Sequence, residues 1–350
     1  MEQTQLHCAQ YIKGIGRGKD NPSDLSHADA RLVWGALLDG RISELEVGAI
    51  LIALRIKGES VDEIAGFLDA TEARGTRLAP PLPGAVPVVI PSYNGARNIP
   101  NLTPLLALLL AREGVPVLVH GKVGEAASAS STRRSAHDFD APAFVKAMPP
   151  RVTSAEIFEA LGLPAASNPN DVLLRLARGE PAFVSIGVLN APLARVLALR
   201  RVLGVRSPAH TLVKLLQPFE EPALRLASFT HPEYHDTLSA LFLRHPQGGD
   251  VLLSRGTEGE PVANARRAAA IEWFTNGAVT IVIAGQSSAG TATSLPESRD
   301  AATTARWIQA VLSGERPVPD AIAAQRDAIL AARATMMQRV AKTAHQGEVD

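Results

Sequence analysis

Residues 88–111 read VVIPSYNGARNIPNLTPLLALLLA, and the order of residue types in them decides the fold class. The β-branched run at 88–90 is a strand signal. The Asn, Gly and Pro residues between 91 and 101 end it and mark a turn. From Leu102 the apolar residues take up the spacing of a helix. Strand, loop and helix in that order is where α/β proteins cradle a phosphate on backbone amides. This loop, however, carries one glycine, Gly95, and no carboxylate that would hold a metal.

Working outward, the same alternation continues. VPVLVH at 115–120, AFVSIGV at 182–188, LRLASF at 224–229, DVLLS at 250–254 and AVTIVIAG at 278–285 are strand candidates. Helical stretches separate most of them, which predicts a largely parallel sheet covered by helices. Upstream the pattern is helical throughout. A first helix is expected over about Thr4–Lys13. Three more open at Ser26, Ser43 and Ser60, each followed three residues on by an acid: Asp29, Glu46 and Glu63. In that pairing the hydroxyl accepts the third amide and the acid reaches back. Leu32, Val33, Ala36 and Leu37, then Val47, Ile50, Leu51 and Leu54, supply the apolar faces.

The fold class predicted is therefore α/β. A small all-helical domain spans 1–75, a Pro-rich hinge 76–87 and a larger α/β domain 88–340, with a frayed tail at 341–350. Proline lacks an amide donor and fixes φ, so the hinge cannot continue a helix. Residues 121–152, rich in Ala, Ser and Pro without a sustained period, read as a long loop. The next helix opens at Thr153 with Glu156, another capping pair.

The chain has 350 residues, enough for two domains, and its 35 Lys and Arg balance 35 Asp and Glu. A net charge of zero counts against a uniformly basic nucleic-acid binder and leaves clustering open. The lone Cys8 excludes an internal disulfide and suits a reducing compartment. No basic-then-apolar leader opens the sequence, and no run of ~18 apolar residues suggests a membrane span. A cytoplasmic protein without a membrane partner is the expectation.

The order of a helical domain, a Pro-rich hinge and VVIPSYNG…NLTPLLALLLAREGVPVLVHG…TSAEIFEALG resembles the anthranilate phosphoribosyltransferase family, essentially end to end. That family has the glycosyltransferase family 3 fold, shared with thymidine phosphorylases. There the first strand ends in a GTGGD loop, followed by N-x-S-T, K-H-G and a helix ending L-E-A-L-G. The matching positions here are Ser92-Tyr93-Asn94-Gly95, then Asn101-Leu102-Thr103-Pro104, then Val119-His120-Gly121, then Phe158–Gly162. RRVLGVRSPAHTLVKLLQPF at 200–219 resembles the family stretch that contributes to the acceptor pocket.

The departures bear on chemistry. Successive glycines let amides approach a diphosphate closely, and here Ser92 and Tyr93 replace them. The family's Asp-Glu magnesium pair should fall near SRGTEGEPV at 254–262. The sequence there is Thr257-Glu258-Gly259-Glu260, with no adjacent acids. Val119 stands for the lysine and His210 for the acceptor-site asparagine. Losing amides, metal ligands and a cation together disfavours diphosphate binding. Asn94, Gly95 and the helix start at Asn101 remain able to meet a phosphate oxygen.

IPSYNGAR, NLTPLLA, the HTLVKL context, SFTHPEY, GTEGE, KGIGRGK and LIALRIKGES are similar to a subgroup of that family, the YbiB-type paralogues of the biosynthetic enzyme. The resemblance implies a homodimer, formed through the N-terminal helices, with a positive groove that binds DNA and RNA without sequence preference. It implies no phosphoribosyl transfer, no catalytic residue, no metal and no cofactor. The phosphate-contact candidates are Lys13, Arg17 and Lys19 in the glycine-rich loop, Arg97 beside the old phosphate loop, and Lys122. Further candidates are Arg133 and Arg134 in the long loop, and Arg200, Arg201, Arg206 and Lys214. Arg200, Arg206 and Lys214 are expected to share one groove. The alternative is an enzyme that uses phosphoribosyl diphosphate and magnesium.

Other constellations carry less. No motif places an acid or nucleophile beside His120 or His210, so both read as structural. His231 and His235 have ligand spacing, but Pro232 opens their helix and no third ligand is evident. Gly14, Gly16 and Gly18 follow no strand and form no dinucleotide fingerprint.

Overall fold

The computed structural model describes residues 4–17, 22–82, 84–124, 151–246, 248–267, 269–285 and 294–347. The N-terminal domain holds four helices: α1 (Ala9–Ile15), α2 (His27–Leu38), α3 (Glu44–Lys57) and α4 (Val61–Glu72). The capping boxes at Ser43 and Ser60 are complete in both directions. At Ser26 the hydroxyl accepts the Asp29 amide and itself donates to the Asp29 carboxylate, at 3.1 and 2.7 Å. Helix α1 starts at Ala9 rather than Thr4. The Leu6 amide donates to the Arg41 carbonyl and the Cys8 amide to Glu46 Oε1, which holds this segment extended across the start of α3.

The larger domain is built on a seven-stranded sheet. Its strands are β1 (Val88–Ser92), β2 (Val117–Gly121), β3 (Ala182–Ser185), β4 (Leu224–Phe229), β5 (Val251–Arg255), β6 (Ile271–Thr275) and β7 (Ala278–Ile283). The spatial order is β3-β2-β1-β4-β5-β6-β7. The first five are mutually parallel, and β6 and β7 continue antiparallel. Alternate residues feed opposite cores: Val88 and Ile90 pack on one face, Val89 on the other. From β1 to β5 both faces are largely buried, which is why these strands read as unbroken apolar runs, whereas β7 is largely exposed.

Two strand expectations are corrected. The segment 182–188 leaves the sheet at Ser185, whose hydroxyl caps the amide of Val188 and turns Ile186–Leu189 into a helical turn. Strand β6 was not expected from the sequence. In IEWFT only Ile271 and Phe274 are fully buried, so it shows neither an alternating nor a continuous apolar pattern. The last helix, Asp320–Gly347, continues beyond the boundary placed at 340.

The helical domain is bonded onto the sheet layer. Asn190 Nδ2 donates to the Thr71 carbonyl at 2.8 Å, and the Gln217 amide to Glu72 Oε1 at 2.9 Å. Within 76–87, Leu78 forms a parallel bridge with Phe219. Trp34, Phe67 and Ile50 belong to one apolar core with Leu193, Leu212 and Phe219. No helix among the described residues is long and apolar enough to cross a membrane.

Candidate functional site

The chain runs β1-β2-β3 in one direction and then places β4 on the other side of β1. At such a switch point the strand ends splay and leave a crevice outside their carboxyl ends. Three segments meet there: the loop after β1 (93–101), the stretch after β4 (230–231) and the turn after β5 (256–260).

The turn after β5 reaches into the loop after β1. Glu258 has φ +54° and Gly259 φ +89°, and Thr257 and Glu260 exchange both backbone hydrogen bonds across them. Positive φ at both central positions is what a type I′ hairpin turn requires. Glu258 there costs about 1 kcal/mol of backbone strain. A side chain at Gly259 would have its Cβ 2.0 Å from Asn94 Nδ2, so only glycine fits.

This geometry aims two carboxylates at the loop amides. Glu258 accepts from the Arg97 amide at 2.6 Å, from the Asn98 amide at 2.9 Å and from Asn98 Nδ2 at 2.7 Å. Glu260 Oε1 accepts from the Gly95 amide at 2.7 Å, and Asn94 Nδ2 donates to the Gly259 carbonyl at 2.9 Å. Partial burial opposes charge on Glu258, yet the Arg97 and Asn98 amides hold its carboxyl below the usual range. Burial pushes the Glu260 carboxyl up, against the Ser92 hydroxyl, the Gly95 amide and the Lys214 ammonium.

The rest of the loop is committed internally too. Ser92 and Ser154 share a hydrogen bond at 2.6 Å, Asn101 Nδ2 donates to Ser154 Oγ, and Asn101 Oδ1 accepts the Thr103 amide. His120 is fully buried, and burial pulls its pKa down to about 4. Gly121 pairs with Ser92 across β1 and β2. The expectation that Asn94, Gly95 and Asn101 remain available for a phosphate oxygen is therefore corrected. Their donors already face protein oxygens.

The same contacts decide whether magnesium fits. A hard cation needs several free oxygen ligands. Glu258 spends both oxygens on Arg97 and Asn98, Glu260 has only its buried Oε2 left without a partner, and no group of three His, Cys, Asp or Glu with metal-binding placement exists among the described residues. The residues present do not fit a magnesium–diphosphate ligand. His231 stands at the N-cap position without a side-chain capping bond, His235 bonds Glu272 at 2.8 Å, and neither belongs to a group of three metal-ligand side chains among the described residues.

A cavity of about 310 Å³ opens beside the loop, between α3 and the ends of β4. Arg55, Glu59, Arg206, His210, Lys214 and Tyr234 line it. His210 Nδ1 lies 3.2 Å from the Ser207 amide and 3.3 Å from its carbonyl, while Nε2 is buried without a partner among the described residues. Burial, then the charges of Arg200 and Arg206, pull its pKa down to about 4. Burial likewise lowers Lys214 to about 8, with Glu260 opposing and Arg206 and Arg151 reinforcing.

The candidate cations thus divide. Arg200, Arg201, Arg206 and Lys214 come together: the three arginines all act on the Tyr93 hydroxyl, and the Arg200 and Arg151 charges depress Arg206 after burial. Among the described residues no carboxylate lies within ion-pair distance of Arg200, Arg201 or Arg206. Arg97 is exposed on the loop, Lys122 is half-buried after β2, and Lys13 and Arg17 are exposed near the end of α1. Lys19, Arg133 and Arg134 lie outside the described residues. Sequence reasoning missed Arg55 and Arg151. The first sits in LIALRIKGES, and the second stands two residues before the Thr153 cap, where it donates to the Gly95 carbonyl.

Comparison with known proteins places these features. Residues 9–75 match the glycosyl transferase family, helical bundle domain. A protein of Escherichia coli K12, the uncharacterized protein YbiB, is 39% identical over 324 residues, covering 92% of this chain and 93% of that one. Anthranilate phosphoribosyltransferase of Methanosarcina acetivorans is 30% identical over 214 residues, 61% of this chain and 49% of the relative. The crystal structure of anthranilate phosphoribosyltransferase from Thermus thermophilus superposes with a TM-score of 0.66 at 22% identity, covering 94% of this chain and 92% of that one. The last shows the shared fold.

Proposed function

From the premise that this chain belongs to the YbiB family of anthranilate phosphoribosyltransferase-like proteins, we propose that it binds DNA and RNA backbones without sequence preference and transfers no phosphoribosyl group. One observation carries the reading: arginines 200, 201 and 206 crowd one edge of the crevice without an ion-paired acid among the described residues, while the loop acids are turned inward. Like charges held together raise the energy of the free protein. A polyanion offsets that cost, and each neutralised phosphate releases counterions. The neutral total charge fits a local cluster rather than a basic surface.

A homodimer through the N-terminal helices is part of the proposal. Leu45 and Ile56 on α3 are 85% and 71% exposed, and Leu32 on α2 is 46% exposed. Large apolar residues left exposed on these helices fit an interaction face. Cytoplasmic residence accords with Cys8, a free buried thiol that burial and the nearby Glu46 carboxylate push up to about 11.

Fluorescence-anisotropy titration of two unrelated mixed-sequence oligonucleotides, at several salt concentrations, tests the reading. The two affinities should agree within a few-fold and fall together as salt rises. Absence of binding at low salt, or strong preference for one sequence, refutes it.

A further inference from the structure

We propose that the loop after β1 is closed by an anion of the protein's own, the Glu258–Glu260 turn. Removing the Glu258 carboxylate would then open a metal-independent site for inorganic pyrophosphate. Backbone amides in a tight turn converge on whatever negative charge lies in front of them. Here that charge is supplied from a distant part of the chain: Glu258 receives the Arg97 and Asn98 amides, and Glu260 receives that of Gly95. The turn is shaped for the task. Glu258 adopts φ +54° to reach the amides, and Gly259 has no side chain where Asn94 would collide with one.

On the opposite side the loop is pinned. Ala96 and Val152 exchange backbone hydrogen bonds, at 2.8 and 3.0 Å, and Arg151 donates to the Gly95 carbonyl. Gly95 therefore gives its amide to one segment and its carbonyl to another. Loss of Glu258 would leave two convergent amides in a backbone still held from behind. The inference stands apart from nucleic-acid binding, since a chain that bound no polyanion would carry the same closed loop.

The test follows the amide resonances of Gly95, Arg97 and Asn98 in the full chain while inorganic pyrophosphate is added without divalent metal. These loop probes separate a loop site from pyrophosphate attracted to Arg200, Arg201 and Arg206. In the wild type they should not move. In Glu258→Ala they should shift saturably, at a pyrophosphate concentration at least tenfold below any needed for the wild type. Glu258→Gln, which keeps one acceptor oxygen but loses the charge, should respond only at a higher pyrophosphate concentration than Glu258→Ala. A folded Glu258→Ala whose loop amides do not respond overturns the proposal. Should that variant fail to fold, a saturable shift of the wild-type amides overturns it, and their silence upholds the closure.

Discussion

The loop at 93–101 and the cationic edge around 200–214 lie side by side and solve opposite electrostatic problems. In the loop the partners are internal: amides meet Glu258 and Glu260, and side-chain amides meet Gly259 and Ser154. At the cationic edge Arg200 and Arg206 repel each other, and with Arg201 they surround Tyr93 without an ion-paired acid among the described residues. The difference teaches where a ligand would gain free energy. A group that enters the loop must displace hydrogen bonds already made, whereas an anion at the edge relieves repulsion and displaces only water and ions.

The largest expected effect comes from undoing the loop's side. Glu260→Ala would leave the buried Gly95 amide unpaired and Lys214 without its nearby carboxylate. Unfolding in urea should show a loss of about 3 kcal/mol. A loss below about 1 kcal/mol would mean the loop is not tied to the turn in solution.

A comparable effect should appear with pH at His120. Its folded-state pKa lies near 4, below the ordinary 6.5, so the unfolded chain takes up the proton first. Stability is then intact above about 6.5 and declines as pH falls toward 4, by about 3 kcal/mol for this one group. His120→Leu should flatten that acid limb in a pH series of urea midpoints.

Gly259→Ala should cost about 2 kcal/mol, from a Cβ at positive φ and the collision with Asn94. Thermal melting would show it, and an unchanged midpoint would contradict the turn geometry. On the cationic side, Arg200→Glu with Arg201→Glu should weaken oligonucleotide binding at least ~tenfold for every sequence and flatten the salt dependence by about two contacts. Stability should barely change, because both residues are exposed. The smallest effect concerns Lys214, with a pKa near 8. Its charge is present below that value and lost above it, so affinity should fall ~threefold between pH 7 and 9. Lys214→Met should remove that slope.

Legibility in the sequence followed the range of the interactions. Caps are local, and Ser43, Ser60 and Thr153 open helices with the predicted reciprocal bonds. Strand β4 spans Leu224–Phe229 as read, because a strand buried on both faces announces itself in its own residues. Strand β6 does not, since its pairing lies between two antiparallel neighbours and includes a bulge at Ile271/Glu272. The loop's place between β1 and the helix at Thr103–Arg112 was legible from strand, turn and helix order.

Its closure was not legible, because Glu260 and Gly95 lie 165 residues apart in sequence and no local pattern pairs them. Read alone, GTEGE looks like a turn after a strand, which it is; what the turn holds becomes visible only in three dimensions. Arg55 and Arg151 stayed hidden for the same reason. Each belongs to a helix or cap that explains it locally, while its charge acts across the crevice on Arg206.

The central claim is that an anion meets the cationic edge and not the loop. A labelled mixed-sequence oligonucleotide, bound at low salt and challenged with phosphoribosyl diphosphate plus magnesium, tests it most directly. Displacement should match that by inorganic triphosphate in the same magnesium concentration, with no preference for the phosphoribosyl ligand. Saturable, magnesium-dependent displacement at low ligand concentration, or no oligonucleotide binding to displace, would contradict it.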